Sequence, residues 1–343
     1  MTLSQRKASV VGMSDSSAPL DRTLGEIGEN AALDWVLPLL PAGDSVVVGP
    51  GDDSALVTLP ESEVLISTDM MMQGTDFRFD WSRPADVGFK AIASNAADIA
   101  AMGGVVVGYQ LAVAAPASTP LRMLVGLAEG CAEGIAEFTP GAGVLGGDLS
   151  RSEVFTITVT VLGSLQGRRP VLRSGATPGD VVCVAGELGL SHRGLRLLLA
   201  AGDDELEIAG LVRSDTAVAH HLRPRPPIAL GPQAAKAGAT AMMDISDGLV
   251  LDAFRMAKAS GVRVELASDA GLDDDALAGG EDHGLLATFP PSVTPPEGFR
   301  PVGVIGEGEP GVFLGGQELD ATAGGWDPFR NLALDDHLVV LAE

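Results

Sequence analysis

The chain has few lysines, few cysteines and few aromatic residues for a length of 343 residues. Its 22 basic residues stand against 46 acidic ones, so the formal net charge is −24. Binding to a nucleic-acid backbone needs clustered lysine and arginine, and we therefore expect no nucleic-acid partner. The two cysteines, Cys131 and Cys183, fit neither a disulfide framework nor a zinc site. Such cysteine usage is typical of a reducing compartment and predicts a cytoplasmic protein.

Long apolar segments are also missing. The best candidate, Val105–Pro116, is interrupted by glycine and polar residues, whereas a membrane helix needs roughly 18 or more consecutive apolar residues. The N-terminus has no apolar stretch of the kind found in secretory signals. We therefore expect no membrane association. Hydrophobic residues still make up 46% of the chain, which excludes a wholly disordered acidic protein.

Helix and strand patterns alternate along the chain, which predicts an α/β (α+β) fold built from two mixed α/β domains. Residues 1–22 are polar and serine-rich, and we expect a flexible tail there. The segment Ser164–Asp180 is rich in glycine, proline and arginine and marks the best domain boundary. The predicted N-terminal domain spans 23–166 and the predicted C-terminal domain spans 170–343.

Hydrophobic periodicity also predicts individual elements. It places a short strand at Val64–Ser67 and a helix over 84–102. It places one helical stretch over 211–222 and an irregular acidic loop over 269–282.

Aspartates recur where the predicted apolar strands end. A single aspartate at such a position is most often a turn former or a helix cap. Several of them brought together would repel one another and would need a cation to neutralise them. Hard divalent cations with oxygen ligands suit this role, so the pattern predicts a metal site. The aspartates in question are Asp53, Asp69, Asp244 and Asp247, together with Asp148, which comes just before the strand predicted at 155–162.

Two further patterns point to the same kind of chemistry. Asn95 and Asp98 lie on the apolar stripe of the helix over 84–102, where a buried carboxylate needs a cation or a donor network. Ser246 and Asp247 precede a helix that starts near Leu249, which predicts a helix N-cap. The same geometry can bind a phosphate at the positive end of a helix.

Other nucleotide and catalytic signatures are weak or missing. Gly141–Gly146 matches the dinucleotide pattern, but a strand is predicted after it where that pattern requires a helix. The chain has no Gly-Lys dipeptide of the P-loop type and no protein-kinase signature. The five histidines form no evident triad or zinc pattern, and we interpret them as surface or hydrogen-bonded residues.

Taken in order, these motifs resemble the thiamine-monophosphate kinase family over about Gly28 to Trp326. This family is related to aminoimidazole ribonucleotide synthetase and selenophosphate synthetase. The resemblance implies two α/β domains in a homodimer, with ATP bound near N-terminal sheets that form the dimer. The motifs are Gly51-Asp52-Asp53, Ser67-Thr68-Asp69, Asn95 to Gly103, Gly146-Gly147-Asp148, Arg173-Ser174-Gly175, Asp244–Gly248 and Gly279–Asp282.

The resemblance also implies roles for individual residues. Mg²⁺ ligands are implied at Asp53, Ser67, Thr68, Asp69, Asp98, Asp148, Asp244 and Asp247. Contacts to ATP are implied at Gly147, Asp148, Arg173 and Ser246. Contacts to thiamine monophosphate are implied at Asp76, Glu281 and Trp326. Catalysis would depend chiefly on Asp53, Asp69, Asp98, Asp148 and Asp244.

The implied reaction is direct transfer of a phosphoryl group from ATP to thiamine monophosphate, with several Mg²⁺ ions offsetting the repulsion between two polyanions. Two alternatives remain open at this point. A related enzyme could act on another small phosphorylated substrate, or the chain could be a non-catalytic acidic module that binds metal and nucleotide.

Overall fold

The computed structural model describes residues 20–50, 54–59 and 61–320. Its strands are β1 Val46–Val48, β2 Leu56–Val57, β3 Leu65–Met72, β4 Val105–Ala115, β5 Gly143–Arg151, β6 Thr156–Ser164, β7 Val181–Ala185, β8 Ala241–Ile245, β9 Arg263–Leu266, β10 Gly284–Phe289, β11 Phe299–Gly306, β12 Gly311–Leu314 and β13 Gln317–Leu319. Its helices are α1 Leu24–Val36, α2 Pro84–Ala101, α3 Leu121–Phe138, α4 Leu190–Ala200, α5 Glu205–Ser214, α6 Thr216–Leu222, α7 Leu230–Ala237, α8 Leu249–Ser260 and α9 Asp274–Ala278.

Two separate sheets organise the fold. The first half of the chain forms a four-stranded sheet in the order β3-β6-β4-β5, beside a small β1-β2 pair. The second half forms a seven-stranded sheet in the order β13-β12-β9-β11-β7-β10-β8. Each sheet has its own hydrophobic core, and both contain helices packed on strands. The predicted fold of two mixed α/β domains is therefore confirmed.

One face of the first sheet is covered and the other is exposed. The covered face packs on α2 and α3, where Phe89, Ile92 and Ile135 are fully or almost fully buried. On the other face Ile66 is 62% exposed and Met70 is 58% exposed. An antiparallel edge strand with apolar residues on its open face is a surface that a further protein element can cover.

The two halves pack tightly against each other along α2. Gly231 on α7 lies so close that an added Cβ would stand 2.1 Å from the carbonyl oxygen of Ala100, a contact that only glycine permits. The guanidinium of Arg223 lies 4.1 Å from the centroid of the Phe89 ring and 3.6 Å from the carboxylate of Asp86. This packing holds the second half in a fixed position beside α2.

The structure differs from the predicted elements at three places. The strand expected at Val64–Ser67 continues to Met72 as β3, because its hydrogen-bonded pairing with β6 extends beyond the apolar run. The helical stretch expected over 211–222 is two helices, since Asp215 caps a new one by accepting the N–H groups of Ala217 and Val218. The expected acidic loop over 269–282 contains the short helix α9. No helix among the described residues is long and apolar enough to cross a membrane.

Candidate active site

Carboxylates from both halves of the chain meet between the two sheets. Asp98 on α2 accepts a hydrogen bond from the Oγ of Ser67 on β3 at 2.6 Å. Burial, together with the nearby charges of Asp244 on β8 and Asp69 on β3, raises the pKa of Asp98 to about 7. Asp69, Asp98 and Asp244 are called the aspartate cluster below. The structure brings these three predicted site residues together.

A cavity of about 250 Å³ lies beside the aspartate cluster. Ser67 and Asp98 line it from the first half of the chain, and Arg173 and Asp244 line it from the second. An anionic ligand entering this cavity would meet the Arg173 side chain and two carboxylates. Further cations would therefore be needed to offset the repulsion.

The donor atoms of the cluster fit Mg²⁺ bound together with a phosphate. Within the described part of the chain, no three acidic, histidine or cysteine side chains are close enough to surround one ion by themselves. Mg²⁺ in proteins is usually held by one or two carboxylates, and water and substrate phosphates complete its coordination. The cluster offers hard carboxylate and hydroxyl oxygens, and the pKa of Asp98 is raised by its burial and by the neighbouring charges of Asp244 and Asp69.

Crowding of these groups predicts how stability depends on pH when no metal is present. Burial and the carboxylates of Asp244 and Asp247 raise the pKa of Asp252 to about 7, as at Asp98. The pKa of His283 is raised to about 9, because the neighbouring Asp244 carboxylate and the charge of Glu281 outweigh the effect of its burial. The folded state therefore binds more protons than the unfolded state above pH 6.5, so the free energy of unfolding should fall as the pH rises from 6.5 to 9.

Urea unfolding in EDTA at several pH values would measure this dependence. The variant Asp98→Asn should show a shallower fall over the same range, because it lacks one of the three groups. A wild-type midpoint that rises with pH over this range would contradict the assignment of a crowded cluster.

A buried aspartate fixes the turn that follows β8. Asp252 is fully buried on α8, and its Oδ2 accepts the N–H groups of Ser246 and Asp247 at 3.1 and 3.0 Å. Arg255 donates to both Asp247 and Asp252 at 2.6 Å. The predicted N-cap role of Ser246 and Asp247 is wrong: the N-cap of α8 is Gly248. The backbone N–H groups of Ser246 and Asp247, which could have bound a phosphate, donate their hydrogen bonds to Asp252.

The predicted acceptor side contains a strained loop. Glu281 and His283 both have left-handed backbone conformations, with φ of 69° and 53°. Each such residue costs about 1–3 kcal/mol and persists only where its surroundings hold it. The Glu281 carboxylate pairs with the ammonium of Lys90 on α2, and His283 Nδ1 lies 3.5 Å from Asp244 Oδ2. Asp76 accepts the N–H of Met72 at 2.7 Å and lies near enough to Glu281 and Lys90 for both to affect its pKa.

Gly147 and Asp148 lie apart from the aspartate cluster. Through β4 and β6, Asp148 is in register with Met70, three strands away on the exposed face of the first sheet. Three strand spacings amount to about 14 Å. Asp69, the residue before Met70 in β3, has its side chain on the opposite face. Asp148 and Gly147 instead border an apolar cavity of about 270 Å³, together with Pro50 and Ser54.

The remaining predicted residues divide between these regions. Thr68 lies on the exposed face, where its hydroxyl is 2.9 Å from that of Thr160. Asp53 and Trp326 lie outside the described residues.

Comparison with known proteins assigns the family. Models of the AIR synthase related protein, N-terminal and C-terminal domains, match residues 51–165 and 177–292. A thiamine-monophosphate kinase of Mycobacterium tuberculosis is 41% identical over 324 residues, which cover 90% of this chain and 93% of that protein. The chain belongs to the thiamine-monophosphate kinase family. The family resemblance seen in the sequence motifs is thereby confirmed.

Solved structures of thiamine-monophosphate kinases have the same fold. A crystal structure from Aquifex aeolicus is 33% identical in sequence, with a TM-score of 0.66. The matched region covers 76% of this chain and 91% of the Aquifex chain. A structure described as AaThiL complexed with AMPPCP and TMP is 31% identical with a TM-score of 0.66, and covers 89% of this chain and 98% of its own.

Within this member of the thiamine-monophosphate kinase family, sequence reasoning misplaced some residues and missed others. Asp69 and Asp244 lie inside strands, so the prediction that they follow strand ends is wrong. Asp148, which was expected just before a strand, lies inside β5. Each apolar run stops before its strand does. The contacts of Lys90 and Asp252 were missed, although a lone lysine in an apolar helix and an Asp-x-x-Arg pair are visible in the sequence.

Proposed function

We propose that the chain transfers the γ-phosphoryl group of ATP to thiamine monophosphate in a Mg²⁺-dependent reaction, forming ADP and thiamine diphosphate. The observation that carries this proposal is the meeting of Asp69, Asp98 and Asp244 from two halves of a thiamine-monophosphate kinase fold, beside a cavity that Arg173 also lines. ATP is the phosphoryl donor, in line with the ATP analogue named in the complex of a relative.

The chemistry requires little from the protein beyond positioning and charge. A phosphate monoester has a second pKa near 6, so the acceptor phosphate is mostly a dianion at neutral pH and needs no strong general base. Mg²⁺ held by Asp69, Asp98 and Asp244 would supply positive charge that offsets the repulsion between the two phosphorylated substrates. Ser67 holds the Asp98 carboxylate in place, and Arg173 supplies a fixed cation at the cavity.

We assign roles to the predicted residues accordingly. The metal ligands are Asp53, Ser67, Thr68, Asp69, Asp98, Asp148, Asp244 and Asp247. The ATP contacts are Gly147, Asp148, Arg173 and Ser246. The acceptor contacts are Asp76, Glu281 and Trp326.

Charge pairing distinguishes the two carboxylates on the acceptor side. Glu281 is already paired with Lys90. Asp76 forms no ion pair with any described residue and is half-buried, so desolvation raises its pKa. Asp76 is therefore the carboxylate whose unpaired charge faces the thiazolium cation of the acceptor, a contact that desolvation strengthens, while Glu281 contacts the acceptor with its charge balanced by Lys90.

We further propose a homodimer in which two four-stranded sheets pair along their edge strands and turn their exposed faces towards each other. Ile66 and Met70 would be buried by this contact. In the described residues β3 pairs only with β6, and β5 pairs with β4 apart from a bridge to Ala42, so both edges offer unpaired backbone groups. Pairing β3 with the partner's β5 would bring Asp148 of the partner subunit towards the segment of β3 that contains Thr68 and Asp69. Asp148 of the same chain is too far from that segment to reach it.

The proposed compartment is the cytoplasm, from the low cysteine content. The proposed domain division remains 23–166 and 170–343, with residues 1–22 as a tail. The two family models match residues 51–165 and 177–292, which agrees with a boundary between them.

The direct test of the reaction is an assay of purified protein with ATP, Mg²⁺ and thiamine monophosphate. Equal amounts of ADP and thiamine diphosphate should form, and EDTA should abolish both. Binding of ATP without release of ADP would favour a non-catalytic module. ADP release with another small phosphorylated acceptor, and none with thiamine monophosphate, would favour a related enzyme.

A further inference from the structure

Lys90 is a buried cation in the core of the molecule. Lys90 is 5% exposed, and its ion-pair partner among the described residues is Glu281. It lies on α2 eight residues before Asp98, so the two share one face of the helix about 12 Å apart. A buried ammonium requires a partner, and the structure supplies that partner from the second half of the chain.

The loop that carries Glu281 is anchored by three consecutive side chains. Glu281 pairs with Lys90 on α2. Asp282 accepts the N–H groups of Gly189 and Ser191 at the start of α4, at 2.6 and 2.8 Å. His283 faces Asp244 on β8. The first and third of these residues have left-handed backbone conformations, so these contacts are needed to hold the loop.

The groups around Lys90 leave Glu281 as its counter-ion. Burial, with Lys90 nearby, lowers the pKa of His221 to about 3, so this imidazole is neutral. Burial raises the pKa of Asp76, while the charge of Lys90 lowers it. Burial also disfavours the ionised form of Glu281, but Lys90 and His283 outweigh it and lower the pKa of Glu281 to about 2. The ionised Glu281 is therefore held in place by Lys90.

We propose that Lys90 is a positioning residue for the acceptor half of the active site. Its ammonium fixes Glu281, and with it the loop from Glu281 to His283, in the orientation that presents the half-exposed Glu281 carboxylate to the acceptor. This inference rests on the proposed function. It predicts that Lys90 affects acceptor binding through Glu281 and leaves ATP binding largely unchanged.

The test is a double-mutant cycle with four variants: Lys90→Met, Lys90→Arg, Glu281→Gln and the double variant Lys90→Met/Glu281→Gln. Lys90→Met should raise the KM for thiamine monophosphate about tenfold and change the KM for ATP by less than about twofold. Lys90→Arg should restore most of the acceptor affinity because it keeps the charge. The double variant should have the same acceptor KM as the more impaired of the two single variants, since both changes break the same contact. Lys236→Met, an exposed lysine on α7, is the matched control and should behave as wild type.

The opposite results would overturn the inference. Unchanged acceptor KM in Lys90→Met, equal increases in both KM values, or additive effects in the double variant would each show that Lys90 does not act through Glu281. Should Lys90→Met fail to fold, the double variant, which leaves no uncompensated charge, decides. An acceptor KM equal to that of Glu281→Gln supports the inference, and any other value overturns it.

The wild-type reaction keeps the two proposals distinct. Wild-type protein that releases no ADP with thiamine monophosphate overturns the proposed function and this inference together. Active wild-type protein with an unaffected Lys90→Met variant overturns this inference alone.

Discussion

The variant Asp98→Asn is expected to lose activity while gaining stability. Loss of one carboxylate from the aspartate cluster removes a proposed metal ligand. We therefore expect kcat to fall by about 100- to 1,000-fold at saturating Mg²⁺, the range seen when one electrostatic contact to a transition state is deleted. The same change removes a charge that burial and its neighbours Asp244 and Asp69 disfavour. The metal-free variant should therefore unfold at a higher temperature than wild type at pH 8.

These opposite changes separate a metal-binding role from a structural one. A residue needed mainly for folding would lower both activity and the unfolding temperature. Asp269→Asn, at an exposed position remote in sequence from the cluster, is the matched control and should change neither property. Undiminished kcat in Asp98→Asn would remove Asp98 from the proposed metal site.

A heterodimer of two inactive variants should be active. Asp69→Ala and Asp148→Ala are each expected to be inactive as homodimers, because every site would lack one of its proposed ligands. If Asp148 of the partner subunit completes the site around Asp69, a heterodimer of the two variants contains one site with both residues intact. Its activity should be about half that of the wild-type dimer, as the symmetry of a two-site dimer requires.

This experiment uses two affinity tags to isolate the heterodimer. A heterodimer of wild type and Asp69→Ala is the control, since it retains one intact site in either arrangement. Inactivity of the Asp69→Ala/Asp148→Ala heterodimer, with the control half-active, would show that both residues act in the same chain. A monomeric protein in solution would contradict the proposed dimer itself.

The sequence predicted the fold class and much of the secondary structure because periodicity reports burial directly. The helix over 84–102 agrees closely with α2, since its apolar residues repeat at helical spacing. Strand ends were harder to predict. In β3 and β8 the apolar run ends at Ile66 and Met243, but backbone pairing with a neighbouring strand continues past both. Backbone hydrogen bonds between strands do not depend on how hydrophobic the side chains are, so hydrophobicity alone does not predict where a strand ends.

Contacts between distant residues limited the prediction of the site. The pattern of aspartates predicted a metal site, and the structure brings Asp69, Asp98 and Asp244 together. The sequence offered no means of separating Asp148 from them, because that depends on the strand order β3-β6-β4-β5. The tie between Lys90 and Glu281 joins residues 191 positions apart and follows only from the packing of the two halves.

Metal binding at the aspartate cluster is tested most directly by counting bound Mn²⁺, a spectroscopic substitute for Mg²⁺, by electron paramagnetic resonance in the presence of a non-hydrolysable ATP analogue. We predict that wild-type protein binds more Mn²⁺ than the analogue alone accounts for, and that Asp244→Asn loses at least one of these ions while still binding the nucleotide. The same number of ions, bound with the same affinity, in wild type and Asp244→Asn would contradict the account.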